Sequence, residues 1–250
     1  MDRRRFLQTS IVGVPAVLGV GLGTAVDRSV DDDDGLGTKA RSGPGLGVQR
    51  ILWSGSGDGV ALTFDDGPDA ELTPRVLDAL ERHGIRATFM VIGMRAAAAP
   101  DLVKRAVDAG HEIGNHTWSH HSLATLDAAQ VREELTRTTE LLGRIVPDAD
   151  VRLFRPPRGI LTGAAAQAAA ELGHDVLLWS CTKGNDLDRK LVPGTIACLH
   201  DGTGRSELSR WPWRHGLRAE RELEVAALPS VLDRAIDSGV RFVTASELVR

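Results

Sequence analysis

Two adjacent carboxylates, Asp65 and Asp66, are the first residues in this sequence that could do chemistry. They end the apolar stretch of residues 59–64 and stand just before a Gly-Pro pair. Neighbouring strand residues face opposite sides of a sheet, so both carboxylates cannot point into one core. Gly and Pro break a strand and open a loop, which predicts two acidic side chains at a rim. Taken alone, this segment would also suit an ordinary polar turn.

A pair of histidines, His116 and His120, is the second feature with chemical potential. Their spacing of four places both imidazoles on one side of a single helical turn. Two neutral imidazoles and one carboxylate suit a divalent transition metal, zinc above all, with positions left open for water and substrate. We therefore expect Asp66, His116 and His120 to bind one ion. His121, next to His120, is expected to point elsewhere.

Proton transfer needs two further groups. With Asp66 on the metal, Asp65 can accept a proton from an attacking water, whose pKa falls from 15.7 to about 7 on a divalent ion. His200 follows the apolar residues 195–199 and can protonate the leaving group. A lone histidine after a strand is otherwise more often structural.

The sequence RPPRG at residues 155–159 adds two more groups. Its prolines fix the backbone and remove their own donors, so the N–H of Arg158 can point toward a developing oxyanion. Arg155 can pair with Asp65 and keep it ionised. A rigid polar turn would explain this segment equally well if it stood alone.

An alternation of strand-like and helix-like segments must position these residues. Several predicted helices end in Gly just before the next strand, as expected of a carboxy-terminal cap. Repeated units of this kind indicate an α/β fold with a largely parallel sheet, and we expect a barrel of about seven or eight strands. We predict strands over residues 60–64, 87–92, 111–114, 152–155, 176–181, 195–199 and 241–244, and helices over 73–83, 101–109, 128–144, 164–172 and 220–237.

Every reactive segment follows a predicted strand. Asp65 and Asp66 follow the first strand, residues 115–120 the third, residues 155–159 the fourth, and His200 the sixth. In barrels of parallel strands the chemistry lies at the carboxyl ends of the strands. We therefore expect these residues to meet at one rim.

Composition narrows the class of protein. The chain has 250 residues, 42% of them hydrophobic, and a net charge of -4. It can bury a substantial core, and the charge gives no sign of a nucleic-acid-binding surface. Cys181 and Cys198 each lie in an apolar run, so we expect buried free thiols rather than a disulfide or metal ligands.

The amino-terminal sequence is typical of an export signal. An arginine pair precedes a bulky apolar pair and a Gly-rich, weakly hydrophobic stretch, so residues 1–26 resemble a twin-arginine export signal. The alternatives are an ordinary secretory signal or a membrane anchor, although residues 11–26 are shorter than the ~20 residues of a spanning helix. Residues 27–49 are acidic and Gly-rich, which favours a flexible linker. Residues 50–250 form the expected domain, with no stable membrane span after signal removal.

In combination and order, these segments resemble the motifs of the polysaccharide deacetylase family, carbohydrate esterase family four, over about residues 50–250. TFDDGP at 63–68 looks like its first motif, HTWSH at 116–120 its second, FRPPRG at 154–159 its third and IACLHD at 196–201 its fifth. The resemblance implies a catalytic base, Asp65; metal ligands Asp66, His116 and His120; a residue supporting the base, Arg155; an oxyanion donor, the backbone of Arg158; and an acid, His200.

The resemblance also implies a deformed (β/α)7-type barrel, a bound zinc or cobalt ion, and removal of N- or O-acetyl groups from a polysaccharide. Peptidoglycan, chitin-type polymers and acetylxylan are the candidate substrates. We expect an exported, extracellular or cell-wall-associated monomer. Two alternatives are a catalytically impaired glycan-binding member of the same fold and a hydrolase of another small amide.

The fourth motif departs from the family pattern. The family usually has an Asp here that orients and charges the acid histidine, whereas this sequence offers Thr182 or Asn185 at the corresponding positions. Asp186 or Asp188 could substitute through a shifted loop. Without such a substitute, we expect His200 to be a weaker or differently tuned acid.

Aromatic residues are candidates for the substrate cleft. Trp179 is expected to line its floor, with a core position as the alternative. Trp211 and Trp213 could stack on sugar rings or form a hydrophobic lid. Arg158 stands where the family commonly has Tyr, which adds a positive charge beside the cleft.

Overall fold

The computed structural model describes residues 50–182, 187–204 and 214–250, apart from the side chains of residues 214–216. Within these ranges the strands form one sheet of nine members. The strands are β1 (Ile51–Leu52), β2 (Val60–Asp65), β3 (Thr88–Val91), β4 (Glu112–Asn115), β5 (Leu153–Phe154), β6 (Asp175–Leu177), β7 (Cys181–Thr182), β8 (Ile196–His200) and β9 (Phe242–Val243).

All pairings among these strands are parallel. Their order is β1-β6-β5-β4-β3-β2-β8-β7, with β9 also paired to β2. The sheet curls into a half-barrel, which confirms the predicted deformed barrel of mostly parallel strands. The helices are α1 (Leu72–His83), α2 (Gly93–Ala98), α3 (Pro100–Asp108), α4 (Ala128–Ile145), α5 (Gly163–Glu171), α6 (Leu187–Lys190), α7 (Arg214–Asp237) and α8 (Ala245–Leu248).

Strand β2 is the centre of the sheet. All six of its residues are buried, as expected of a parallel strand covered on both faces. It pairs with β3 on one side and β8 on the other, and its last residue, Asp65, stands in register with His200. The position of β2 therefore fixes where the first and fifth motifs meet.

Most predicted segments are found within one or two residues, but the strand predicted over 176–181 is wrong as a single element. It is divided into β6 and β7. The side chain of Arg155 takes the carbonyls of Leu177 and Leu178 as acceptors, and the N–H of Ser180 bonds to Ile196 instead. Because the side chain of Arg155 occupies these carbonyls, β6 ends before β7 begins to pair with β8.

The other differences between the predicted and observed elements concern short strands and helices and the start of the long helix α7. The sequence patterns did not predict β1, α2, α6 or α8, which are too short to show a period. Helix α7 begins at Arg214, before the predicted residue 220. The predicted glycine caps are found after α1 and α3, where Gly84 and Gly110 have φ of 63° and 81°. No helix in the described ranges is long and apolar enough to cross a membrane.

His111 has a structural role at the start of β4. It precedes β4, and its Nδ1 accepts a hydrogen bond of 3.1 Å from the backbone N–H of Ala87. Its ring packs edge-on against Phe89. Burial, helped by Arg105 and Arg86, lowers the pKa of His111 to about 4. The neutral ring that accepts this bond is therefore the form that the fold requires.

We predict that His111 makes folding sensitive to mild acid. Its pKa is lower in the folded chain than the usual 6.5, so its stabilisation is present above pH 6.5 and is lost as the pH falls to about 4. In His111→Asn, an amide oxygen replaces the acceptor without titrating. Urea unfolding at several pH values should show wild type losing about 1–2 kcal/mol more than the variant over this range. Parallel losses would contradict this assignment.

Candidate active site

The first motif lies where β2 ends. Asp65 is the last residue of the strand, and Asp66 adopts a left-handed backbone with φ of 75°. The next position requires glycine, because a Cβ at Gly67 would lie 2.2 Å from a carboxylate oxygen of Asp201. Asp201 is itself buried and accepts a 2.6 Å hydrogen bond from Thr73. This packing turns the chain sharply and leaves both acidic side chains buried at the rim.

The second motif is a loop, and the predicted helical turn over His116 and His120 is wrong. Thr117 and His120 have φ of 67° and 59°, which no α-helix contains. The side chain of Asn115 accepts from the N–H of Thr117 at 2.8 Å, and the hydroxyl of Thr117 accepts from the N–H of His120 at 3.1 Å. These local bonds replace the helical ones and still bring both imidazoles to one side.

Three side chains could hold a metal ion together. His116 Nε2 and His120 Nε2 lie 3.6 Å and 3.2 Å from Oδ1 of Asp66. His116 Nδ1 bonds to the carbonyl of Arg155 at 2.7 Å, which leaves Nε2 as the free nitrogen. In the described part of the chain, Oδ1 of Asp66 is buried with no hydrogen-bond partner. Two imidazoles around an unpartnered carboxylate oxygen are the donors that a zinc-like ion takes.

The charges in this cluster are strongly coupled. Burial alone would raise the pKa of Asp66, but His116 and His120 outweigh it and hold that pKa far below its usual value. Burial lowers the pKa of His120 to about 4, so its ring is neutral. Burial would also lower the pKa of His116, but Asp65 and Asp66 outweigh it and raise that pKa. Because a metal ion takes the neutral imidazole, ion binding at His116 competes with its protonation.

Asp65 is bound by a fully buried arginine. Nη1 of Arg155 lies 2.6 Å from Oδ1 of Asp65 and 2.7 Å from the hydroxyl of Thr63. Burial on its own would raise the pKa of Asp65, but Arg155, His116 and His200 outweigh it and lower that pKa. The other oxygen of Asp65 accepts a weak 3.4 Å bond from a thiol, that of Cys198. This carboxylate is thus ionised and held in one orientation.

His200 ends β8 on the other side of β2. Its partner in register is Asp65, and its side chain is 19% exposed. Nδ1 of His200 lies 3.6 Å from Oε1 of Glu224 on α7. The imidazole therefore stands between the carboxylate of β2 and a second carboxylate on a helix.

One cleft of about 390 Å³ is lined by Asp65, Asp66, His116, His120 and His200. Arg158, Trp179 and Arg221 contribute to its walls. Arg158 is exposed, has φ of 59°, and within the described residues its N–H donates no hydrogen bond. That N–H can therefore donate to a ligand in the cleft.

Comparison with known proteins agrees with this geometry. Residues 54–177 match the polysaccharide deacetylase family model. A peptidoglycan-N-acetylglucosamine deacetylase of Bacillus cereus is 34% identical over 76% of this chain and 88% of its own length. The chain belongs to the polysaccharide deacetylase family. A second B. cereus protein of the same name is 33% identical, and the chain spans 66% of that longer relative.

Two further comparisons extend over nearly the whole length of the matched protein. A chitooligosaccharide deacetylase of Sinorhizobium fredii is 35% identical over 77% of this chain and 93% of its own. The crystal structure of the Bc1960 peptidoglycan N-acetylglucosamine deacetylase superposes with a TM-score of 0.66 at 31% identity. The superposition covers 80% of this chain and 92% of the Bc1960 chain. Both the sequence and the curled barrel are thus those of the family.

The remaining candidates are only partly accounted for. Trp179 lines the cleft and also packs against the core around Leu177, so both of its expected positions are found. Thr182 lines the cleft as well. Asp188 bonds to Arg234 at 3.1 Å. Both cysteines are buried thiols that form no disulfide in the described residues, as predicted. Four expected site residues lie outside the described ranges: Asn185, Asp186, Trp211 and Trp213.

Sequence reasoning missed Thr63 and Glu224. Thr63 precedes Asp65 by two residues on a strand, so the period of two could have placed both side chains on one face. Its hydroxyl accepts from Arg155 and donates to the carbonyl of Ala197, each at 2.7 Å. Glu224 lies 24 residues beyond His200 on a long helix, and no local pattern marks it.

We predict that Thr63→Val destabilises the protein. The substitution keeps the shape of the side chain, but one N–H of Arg155 Nη1 and the carbonyl of Ala197 each lose the bond to the Thr63 hydroxyl. The expected loss is about 1–3 kcal/mol for each unsatisfied group, measured by urea unfolding. Thr125→Val, at an exposed hydroxyl, is the control and should change stability by less than about 0.5 kcal/mol. Similar midpoints for the two variants would contradict the buried network.

Proposed function

We propose that this family member is an exported, metal-dependent hydrolase that removes acetyl groups from a cell-wall polysaccharide. One observation carries the proposal. Within a single cleft, the cluster of Asp66, His116 and His120 adjoins the ionised Asp65 and faces His200. Named relatives act on N-acetylglucosamine in peptidoglycan and on chitooligosaccharides, which favours an amide of an acetylated amino sugar over an ester.

Asp66, His116 and His120 would hold the metal ion, with zinc favoured by their nitrogen and oxygen donors and cobalt as the alternative. When bound, such an ion acidifies a water and polarises the carbonyl of the acetyl group. All the groups assigned here come from one chain, which supports action as a monomer.

The chain's own residues would perform the proton transfers. Asp65 accepts a proton as water adds its oxygen to the acetyl carbon. The N–H of Arg158 donates to the carbonyl oxygen as that oxygen gains negative charge. His200 then donates a proton to the sugar nitrogen while the carbon–nitrogen bond breaks, giving acetate and a free amine. Because Arg155 already donates to Asp65, the base faces the cleft without rearrangement.

Export rests on sequence alone. We propose that residues 1–26 are a twin-arginine signal and that residues 27–49 link it to a domain over 50–250. The motif that supports this proposal is an arginine pair, Arg3 and Arg4. One residue separates this pair from the bulky apolar residues Phe6 and Leu7. Cell-wall substrates named for the relatives lie outside the cytoplasm, which supports an extracellular or cell-wall location.

Acetate release from acetylated oligosaccharides tests the activity. Chitin oligomers, peptidoglycan fragments and acetylxylan should be compared, and a chelator should stop the reaction until zinc or cobalt is returned. Asp65→Asn should lower kcat by about 10²–10⁴-fold with metal content unchanged, whereas His120→Ala should lose the metal itself, measured by elemental analysis. Saturable glycan binding without acetate release would instead indicate a catalytically impaired binding protein.

Export has a separate test. Replacing Arg3 and Arg4 with lysine together keeps the charge but removes the arginine pair that the twin-arginine route requires. We expect the precursor to accumulate in the cytoplasm and the secreted fraction to fall at least tenfold, judged by immunoblotting of cell fractions. Unchanged secretion would point to the ordinary secretory route, and a matched Arg28→Lys variant should be secreted normally.

A further inference from the structure

We propose that Glu224 is the positioning residue of the acid His200, performing from helix α7 the task that an aspartate of the fourth motif has in the family. The inference rests on the proposed function, because it concerns the proton that His200 gives to the leaving group. Nothing in the sequence marks Glu224, and its assignment depends on the contacts of α7 with β8.

One carboxylate oxygen of Glu224 faces His200 at two points. The backbone N–H of His200 donates to Oε1 at 3.1 Å, and Nδ1 of the ring lies 3.6 Å from the same oxygen. The side chain of Glu224 is only 10% exposed. The main-chain bond therefore anchors the carboxylate beside the ring, and a small ring rotation completes the Nδ1–H bond. That bond would leave Nε2 to face the cleft.

Arg221 holds the other oxygen of Glu224. Its Nη1 lies 3.1 Å from Oε2, and its side chain is 8% exposed. Each oxygen of Glu224 thus has a different partner, which fixes the plane of the carboxylate. Arg221 also lines the cleft, so the three residues form a continuous chain of contacts from α7 to the site.

Two other described groups close to His200 have partners of their own. Asp65 and the thiol of Cys198 lie close to the ring, but Asp65 is bound by Arg155 and Cys198 donates to Asp65. Asp188, one of the substitutes considered for the fourth motif, bonds to Arg234. The other, Asp186, lies outside the described residues and is therefore the competitor that an experiment must include.

The dependence of rate on the leaving group tests this role. An amine must gain a proton as it leaves the acetyl carbon, whereas 4-nitrophenolate leaves without one. For Glu224→Gln we expect kcat for acetylated chitin oligomers to fall roughly tenfold, a fraction of the 10²–10⁴-fold that a general acid supplies, with KM within about twofold of wild type. Hydrolysis of 4-nitrophenyl acetate should stay within about twofold. A merely structural role would lower both rates together.

Further variants make the result decisive. Glu222→Gln, on the same helix and bonded to Arg218, should behave as wild type. Glu224→Asp keeps the charge one methylene farther from the ring and should fall between wild type and Glu224→Gln, which guards against a variant that fails to fold. Equal losses on both substrates, or no loss on the amide, would overturn the proposal. The proposal would also be overturned if Asp186→Asn slowed the amide more than the aryl ester and Glu224→Gln did not.

His200→Ala separates this inference from the proposed function. It should show the same difference between amide and aryl ester, but larger. If His200→Ala lowers both substrates equally, the acid itself is wrongly assigned and the proposed mechanism fails. If it shows the difference and Glu224→Gln does not, only the positioning role of Glu224 is wrong.

Discussion

The contact between Arg155 and Asp65 is the constraint on which the site depends. Arg155 is completely buried, and an uncompensated charge there would cost several kcal/mol. It is compensated by acceptors from two parts of the sheet, the strand β2 and the chain leaving β6. Between β5, which precedes Arg155, and β2 stand two further strands, β4 and β3. At about 4.8 Å per strand, a flat sheet would separate them by about 14 Å, beyond the reach of an arginine side chain. The ion pair therefore requires the curl of the barrel, and the curl brings the carboxyl ends of the strands together.

Unusual backbone conformations are concentrated at the same rim. In the described ranges, four residues other than glycine have positive φ: Asp66, Thr117, His120 and Arg158. All four line or adjoin the cleft. Such conformations cost roughly 1–3 kcal/mol each and persist only where the surroundings determine them. Here the surroundings are local hydrogen bonds and the buried strands behind them, so the core stabilises loop shapes that aim the ligands and a backbone N–H at one point.

These features explain what the sequence could predict and what it could not. The runs of apolar residues predicted the parallel strands, and the rule that chemistry follows their carboxyl ends placed Asp65, His116 and His200 at one rim. The helical turn over the histidines was wrong because side-chain acceptors, which spacing does not reveal, replaced the helical bonds. The break between β6 and β7 was missed for a related reason, since the arginine that takes the carbonyls is distant in sequence. Long-range side-chain contacts, rather than local propensity, decided both cases.

The two halves of the site are built on different physical principles. Asp65 and the ligand cluster are buried, and Asp65 is held by Arg155, so removal of either charge leaves the other unpaired in a low dielectric. His200 is partly exposed, and its neighbouring carboxylate comes from a helix surface rather than from the barrel interior. A carboxylate from another element can therefore approach His200, whereas Asp65 has no such opening around it. This asymmetry is consistent with a chain that keeps the first motif and departs from the family at the fourth.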